Sequence, residues 1–217
     1  MIVRHRAAPL AGLLVLPLLA TAGVAPPACR AAVVLSEILA DPATDWNGDG
    51  AINSRDDEWV EVTNTGPDAV DLSAYFLRDA LGTEAHLQLS GTLGSGQARV
   101  FFGSDAAAWQ ATQGITVTGL SLNNTGDTVE LWRGMPGQTG SQLDDVDIFA
   151  DHEAEDDRSS GRLTDGTWVI FDALNPYTGT LLPGGSGCAP SPGAVNVCRP
   201  NVPLEAATWG ALKGEYR

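Results

Sequence analysis

The most restrictive feature of this sequence is the brevity of its apolar runs. Val33 to Leu39, Glu58 to Thr63, Tyr75 to Leu77, His86 to Leu89, Arg99 to Phe102, Ile115 to Leu120, Thr128 to Trp132, Val146 to Phe149 and Trp168 to Phe171 each give way within a few residues to Gly, Pro, Asn or Asp. Stretches this short, spaced by roughly ten residues and punctuated by turn formers, predict nine or ten β-strands of a sandwich. Glu58 to Thr63 alternates, with Trp59, Val60 and Val62 set against Glu58, Glu61 and Thr63. Helical periodicity is confined to Ala106 to Gln113, one or two turns over a sheet edge, and to the end of the chain. The 25 Gly, 13 Pro and 18% charged residues agree with a turn-rich all-β protein.

Two further features set the compartment. Arg4, His5 and Arg6 precede an apolar run from Leu10 to Leu19 and then small residues, the layout of a secretory signal peptide over residues 1–31. An uncleaved anchor is the alternative, but the apolar core is short for a membrane span. Cys29 follows Pro26, Pro27 and Ala28, a poor lipobox, and goes with the discarded segment. Without Arg4, Arg6 and Arg30, the 12 basic residues fall to 9 against 27 acidic ones, a net charge of −18. Such a surface repels phosphate backbones and suits divalent cations, so nucleic acid is not an expected partner. Cys188 and Cys198 remain, and export favours a disulfide between them over two free thiols.

Asp45-Trp46-Asn47-Gly48-Asp49-Gly50-Ala51-Ile52-Asn53-Ser54-Arg55-Asp56 is the sharpest local signal. Calcium takes six to eight oxygens, which a twelve-residue EF-hand-like loop supplies from positions 1, 3, 5, 7, 9 and 12. Here those are Asp45, Asn47, Asp49, the carbonyl of Ala51, Asn53 and Asp56, with Gly50 at the sharp turn and Ile52 as the expected apolar plug. Asp56 stands where sensor loops have a bidentate Glu, and Asp57 or Glu58 is a candidate to share its role. Predicted strands flank the loop, so calcium would clamp a connection between strands and would not open a groove. A metal-free Asn/Gly/Asp turn is the competing reading.

Val34-Leu35-Ser36-Glu37-Ile38-Leu39-Ala40-Asp41-Pro42, Asp57-Glu58-Trp59-Val60-Glu61-Val62-Thr63-Asn64 and Val70-Asp71-Leu72-Ser73-Ala74-Tyr75-Phe76-Leu77 together resemble the opening of a lamin-tail domain of the secreted bacterial type. Ser160 to Trp168 is similar to the family's closing segment, and the calcium loop is similar to the dockerin-like insert such domains carry between their first two strands. The resemblance spans about Val33 to Asn175. It implies an immunoglobulin-like β-sandwich with binding or scaffolding roles and no catalytic residues to carry over. The chain departs from the family after Asn175, where the cysteine-bearing loop replaces the usual short ending.

The expected organisation is therefore a signal peptide over 1–31, a sandwich over 32–175 carrying the calcium loop, and a disulfide-bearing loop with a short C-terminal helix over 176–217. Thr208 is a plausible N-cap for that helix, which would pack on the sandwich or serve as a docking or sorting tail. The acidic run from Asp144 to Asp157 around His152 reads as a solvated loop, since it matches no ligand template, with a second divalent-metal site as the alternative. No nucleophile elbow, zincin motif, Walker loop or dinucleotide fingerprint is present. Most of the six tryptophans suit core filling or edge covering. The expected function is an exported, non-enzymatic, calcium-stabilised adhesion or assembly module whose partner is a protein or glycan at the cell exterior. A calcium-dependent carbohydrate-binding module is the second reading and a calcium-dependent hydrolase the third.

Overall fold

A computed structural model describes residues 32–79, 82 and 84–198. The expected signal peptide, Cys29 and the C-terminal helix lie outside the described residues. In chain order the elements are β1 (Val33–Leu39), β2 (Trp59–Asn64), β3 (Val70–Asp71), a 3₁₀ turn at Leu72–Ala74, β4 (Tyr75–Asp79), β5 (Leu87–Gln88), β6 (Thr92–Leu93), β7 (Ala98–Phe102) and α1 (Gly103–Gln113). Then follow β8 (Gly126–Arg133), β9 (Gln142–Ala150), a 3₁₀ turn at Asp151–Glu153, β10 (Ser159–Arg162) and β11 (Trp168–Phe171).

A five-stranded antiparallel sheet in the order β11-β10-β1-β2-β7 faces a four-stranded one in the order β5-β4-β8-β9, with β3-β6 as a small ribbon. Val33, Leu35, Ile38, Val60 and Val62 of the first sheet meet Leu77, Val129, Leu131 and Phe149 of the second in one buried cluster. Alternation along each strand dictates this, because successive side chains point to opposite faces. A β-bulge between Leu35 and Glu37 shifts the phase of β1, so that Glu37 stands opposite Glu61, away from the core. This is the sandwich that the strand spacing predicted, of the immunoglobulin-like kind that the resemblance implied.

Three local expectations need correction. Ile115 to Leu120 forms no strand; it is an irregular connection whose Thr118 and Gly119 amides bond to the Gln110 side chain. The helix is longer than two turns, since Asp105 takes the Phe102 amide at its start and Gly114 closes it at φ 68°. The acidic run is not a solvated loop either. Most of it is β9 and the turn after it, where Asp147, His152 and Glu153 are buried, and Asp157 beyond the turn is buried as well. Register against β8 decides this, pointing Asp147 and Phe149 inward and leaving Val146 and Ile148 outside. Burial pushes the Asp147 carboxyl up to about 7, reinforced by the nearby Glu153 charge.

The outer face of the five-stranded sheet is covered, not wet. Cys188 and Cys198 form the disulfide, and the loop between them lies across that face. The amide of Ser191 donates to Glu37 Oε1 at 3.1 Å, that of Gly193 to Glu61 Oε2 at 2.7 Å, and Asn196 Nδ2 to the Ser36 carbonyl at 2.6 Å. Glu61, expected on the polar side of an alternating strand, is fully buried as a result.

Candidate metal centre

The twelve-residue loop is organised by its own carboxylates. Asp45 Oδ1 accepts the amides of Gly48 (2.8 Å) and Asp49 (3.1 Å), and its Oδ2 accepts that of Gly50 (2.9 Å). Asn47 Oδ1 takes the Asp49 amide at 2.9 Å, and Asp49 Oδ1 the Ala51 amide at 2.8 Å. Gly48 and Gly50 sit at φ 75° and 92°, where a side chain is strained. Asn53 and Asp56 form a second group: Asn53 Nδ2 donates to Asp56 Oδ2 at 2.8 Å. Asn47 Nδ2 joins the two groups by donating to the Asp56 carbonyl at 3.4 Å.

Two aspartates outside the expected ligand set hold this loop on the sandwich. Asp57 is fully buried; its Oδ1 accepts the amides of Trp46 (2.9 Å) and Asn47 (3.0 Å) and its Oδ2 that of Asn53 (2.7 Å). With both oxygens engaged, Asp57 organises the backbone from behind. Asp157 accepts the Ala43 amide and the Trp46 indole N–H on Oδ1, and the Thr44 hydroxyl on Oδ2. Trp46 then meets Trp59 edge-on at 5.9 Å. The far end is fastened to α1, where Gly103 and Ser104 donate to the carbonyls of Glu58 and Asp56. A Cβ on Gly103 would fall 1.7 Å from the Arg55 carbonyl oxygen, so this approach requires glycine.

Two expected roles change. Ile52 is 64% exposed and plugs nothing, because this single loop has no partner loop to bury it against. Glu58 turns away and accepts the Leu122 amide at 3.2 Å, and burial pushes its carboxyl up to about 8. Asp57 had a signal in the sequence, lying directly after the loop. Asp157, 112 residues beyond Asp45, had none.

The donor set suits a hard cation. Asp45, Asn47, Asp49, Ala51, Asn53 and Asp56 all offer oxygen, and a carboxylate has about four lone-pair sites, so one that accepts an amide keeps capacity for a metal. Asp49 Oδ2 and Asp56 Oδ1 take no hydrogen bond from another described residue. Among the described residues no cluster of three or more His, Cys, Asp or Glu side chains converges as a metal site. Any ion here would therefore depend on the two amides and the carbonyl as well as on the carboxylates.

The remaining aromatics offer little to a sugar ring. Among the described residues the ring pairs are edge-on (Trp46 and Trp59) or tilted (His152 and Tyr177), and Trp59 is fully buried. Trp132 lies under the Arg78 guanidinium and donates its indole N–H to Glu130.

Fold and packing together define an antiparallel immunoglobulin-like sandwich with a tethered acidic loop between its first two strands. The chain belongs to the lamin tail domain family: the model of that family, Lamin Tail Domain, matches residues 26–149, more than half of its length. Neither a curated protein nor a solved structure gave a significant match. No helix among the described residues is long and apolar enough to cross a membrane.

Proposed function

We propose that the protein is an exported, non-catalytic binding or scaffolding module of the secreted bacterial type, whose dockerin-like loop at Asp45 to Asp56 is clamped by calcium. The observation that carries this reading is the hydrogen bonding within the loop. Its amides hold Asp45, Asn47 and Asp49 within one turn, so binding has only to draw their side-chain oxygens together. Asp45, Asn47, Asp49, the Ala51 carbonyl, Asn53 and Asp56 would hold the ion. Its charge would offset the repulsion among three carboxylates and stiffen the link between β1 and β2. The signal-like sequence over 1–31 and the disulfide agree with an oxidising exterior. The partner is read as a protein in preference to a glycan, since the aromatic pairs among the described residues meet edge-on or tilted.

Calorimetry of the protein lacking residues 1–31, in calcium and in chelator, tests this. If the ion binds only the native state, calcium at a hundred times its Kd adds about 2.7 kcal/mol. The melting temperature should then rise by roughly 5–10 °C for a chain of this size. Asp49→Ala should abolish the rise. Identical melts of the wild type in calcium and chelator would remove the metal from the proposal.

A further inference from the structure

The strand β10 pairs with β1 only at Glu37 and Ile38, so the first half of β1 has no ladder partner on that side. A cleft of about 360 Å³ opens there, walled by β1, β2 and β10 and by the start of β9. Its size falls in the range of small-ligand sites. In β9 the register passes from Leu143 to Asp145 opposite Trp132 and Leu131, leaving Asp144 as the extra residue of a bulge. Bulges re-aim side chains, and this one sets two successive carboxylates, Asp144 and Asp145, on the cleft wall.

The two carboxylates are not equivalent. Asp145 is engaged on both oxygens: Oδ2 accepts the Leu35 amide at 2.9 Å and Arg162 Nη1 at 2.8 Å, and Oδ1 accepts the Val146 amide at 3.1 Å. Asp144 has a side chain only 1% exposed, and its Oδ1 accepts Arg133 Nη2 at 3.2 Å. Its Oδ2 is buried with no partner. A buried carboxylate oxygen left unpaired is costly, and it can only accept. Each carboxylate has one guanidinium partner, Arg162 on Asp145 and Arg133 on Asp144, and neither guanidinium reaches Asp144 Oδ2. Asp144 Oδ2 thus lacks a donor, while Val34 and Leu163 offer apolar wall to an alkyl stem. Beside it, β9 is an edge strand of its sheet, with Val146 42% and Ile148 73% exposed, which suits an extended chain laid alongside.

We propose that this cleft binds a lysine or arginine side chain of an extended partner peptide, with the stem against Val34 and Leu163 and the cationic head on Asp144. This rests on the binding reading above but not on its metal. The test is an NMR titration of the ¹⁵N-labelled protein, with and without calcium. The probes are Nα-acetyl-lysine amide, Nα-acetyl-arginine amide, the neutral Nα-acetyl-norleucine amide, and a blocked Thr-Val-Lys-Val-Thr peptide. Saturable shifts at residues 34, 144, 145, 163 and 164 are expected with the cationic probes, tighter with the peptide, and absent with norleucine. Asp144→Asn should weaken binding about tenfold or more, as loss of a hydrogen bond to a charged group does. Thr164→Lys, at an exposed turn on the rim where folding is not at risk, should weaken it as well. An equal response to norleucine, unaltered binding in folded Asp144→Asn, or no saturable shift (the oxygen then holding only water) would each overturn the proposal. Cation binding that persists in a protein whose melt ignores calcium sinks the metal and leaves the cleft. The reverse result sinks the cleft alone.

Discussion

The loop at Asp45 to Asp56 and the covered face holding Glu37 and Glu61 use the same chemical group in opposite ways. In the loop, carboxylates lie near solvent and take hydrogen bonds from amides two to five residues away. On the sheet, two carboxylates from neighbouring strands are buried under a loop more than 130 residues distant. Burial pushes Glu37 up to about 8 and Glu61 to about 7, against the hydrogen bonds from Ser159, Ser191, Ser36 and Gly193 that favour the charge. Local turns leave acidic side chains near solvent and available. Long-range cover raises the proton affinity of the sheet pair and makes it structural.

The most damaging way to break this contrast is to release the cover. Replacing Cys188 and Cys198 by Ser should cost about 2–3 kcal/mol by urea denaturation, in keeping with a short closed loop. It should also bring the Glu37 and Glu61 titrations back toward ordinary carboxylate values, read by NMR. A double mutant that titrates as the wild type does would show that the sheet itself, not the loop, neutralises the pair.

A smaller effect separates the regions by pH. The folded pKa values of Glu37 and Glu61 are raised above the unfolded value, so between about pH 4.5 and 8 the native state binds more protons. Their contribution is fully present below about 4.5 and is lost as pH rises through 7 to 8. Glu61→Gln keeps an acceptor for the Gly193 amide and gives Ser36 Oγ a donor. It should therefore be nearly neutral at pH 6 and stabilising by about 1 kcal/mol at pH 9, since one unit of pKa corresponds to about 1.4 kcal/mol. Denaturation midpoints across pH measure this, and a parallel pH profile for the mutant would refute it.

The smallest effect is local. Gly50→Ala places a Cβ at φ 92° with no atom within 4 Å, so strain alone should cost about 1 kcal/mol. Calcium affinity should fall with it, while the Glu37 titration stays where it is. Coupled changes in both regions would mean that they are not independent.

Much of the fold was legible because its signals are local. The run Val33 to Leu39 and the alternation from Trp59 became β1 and β2, and apolar residues spaced by two met across the core. The segment Ile115 to Leu120 misled because Ile115 and Val117 stay exposed and the Thr118 and Gly119 amides bond to the Gln110 side chain in place of a ladder. At the loop, the turn at Gly50 followed from spacing, whereas Ile52 failed as a plug for want of a partner surface.

By itself, then, the sequence determined the sandwich, the acidic twelve-residue loop and the cysteine pair, because periodicity, turn chemistry and short spacings act within a few residues. Only the tertiary structure decided which carboxylates are covered and by what. Asp157 reaches Trp46, Ser191 reaches Glu37 and a bulge in β9 turns Asp144 into a cleft through contacts between strands distant in the chain. Desolvation depends on what finally covers a group, and no local pattern encodes that.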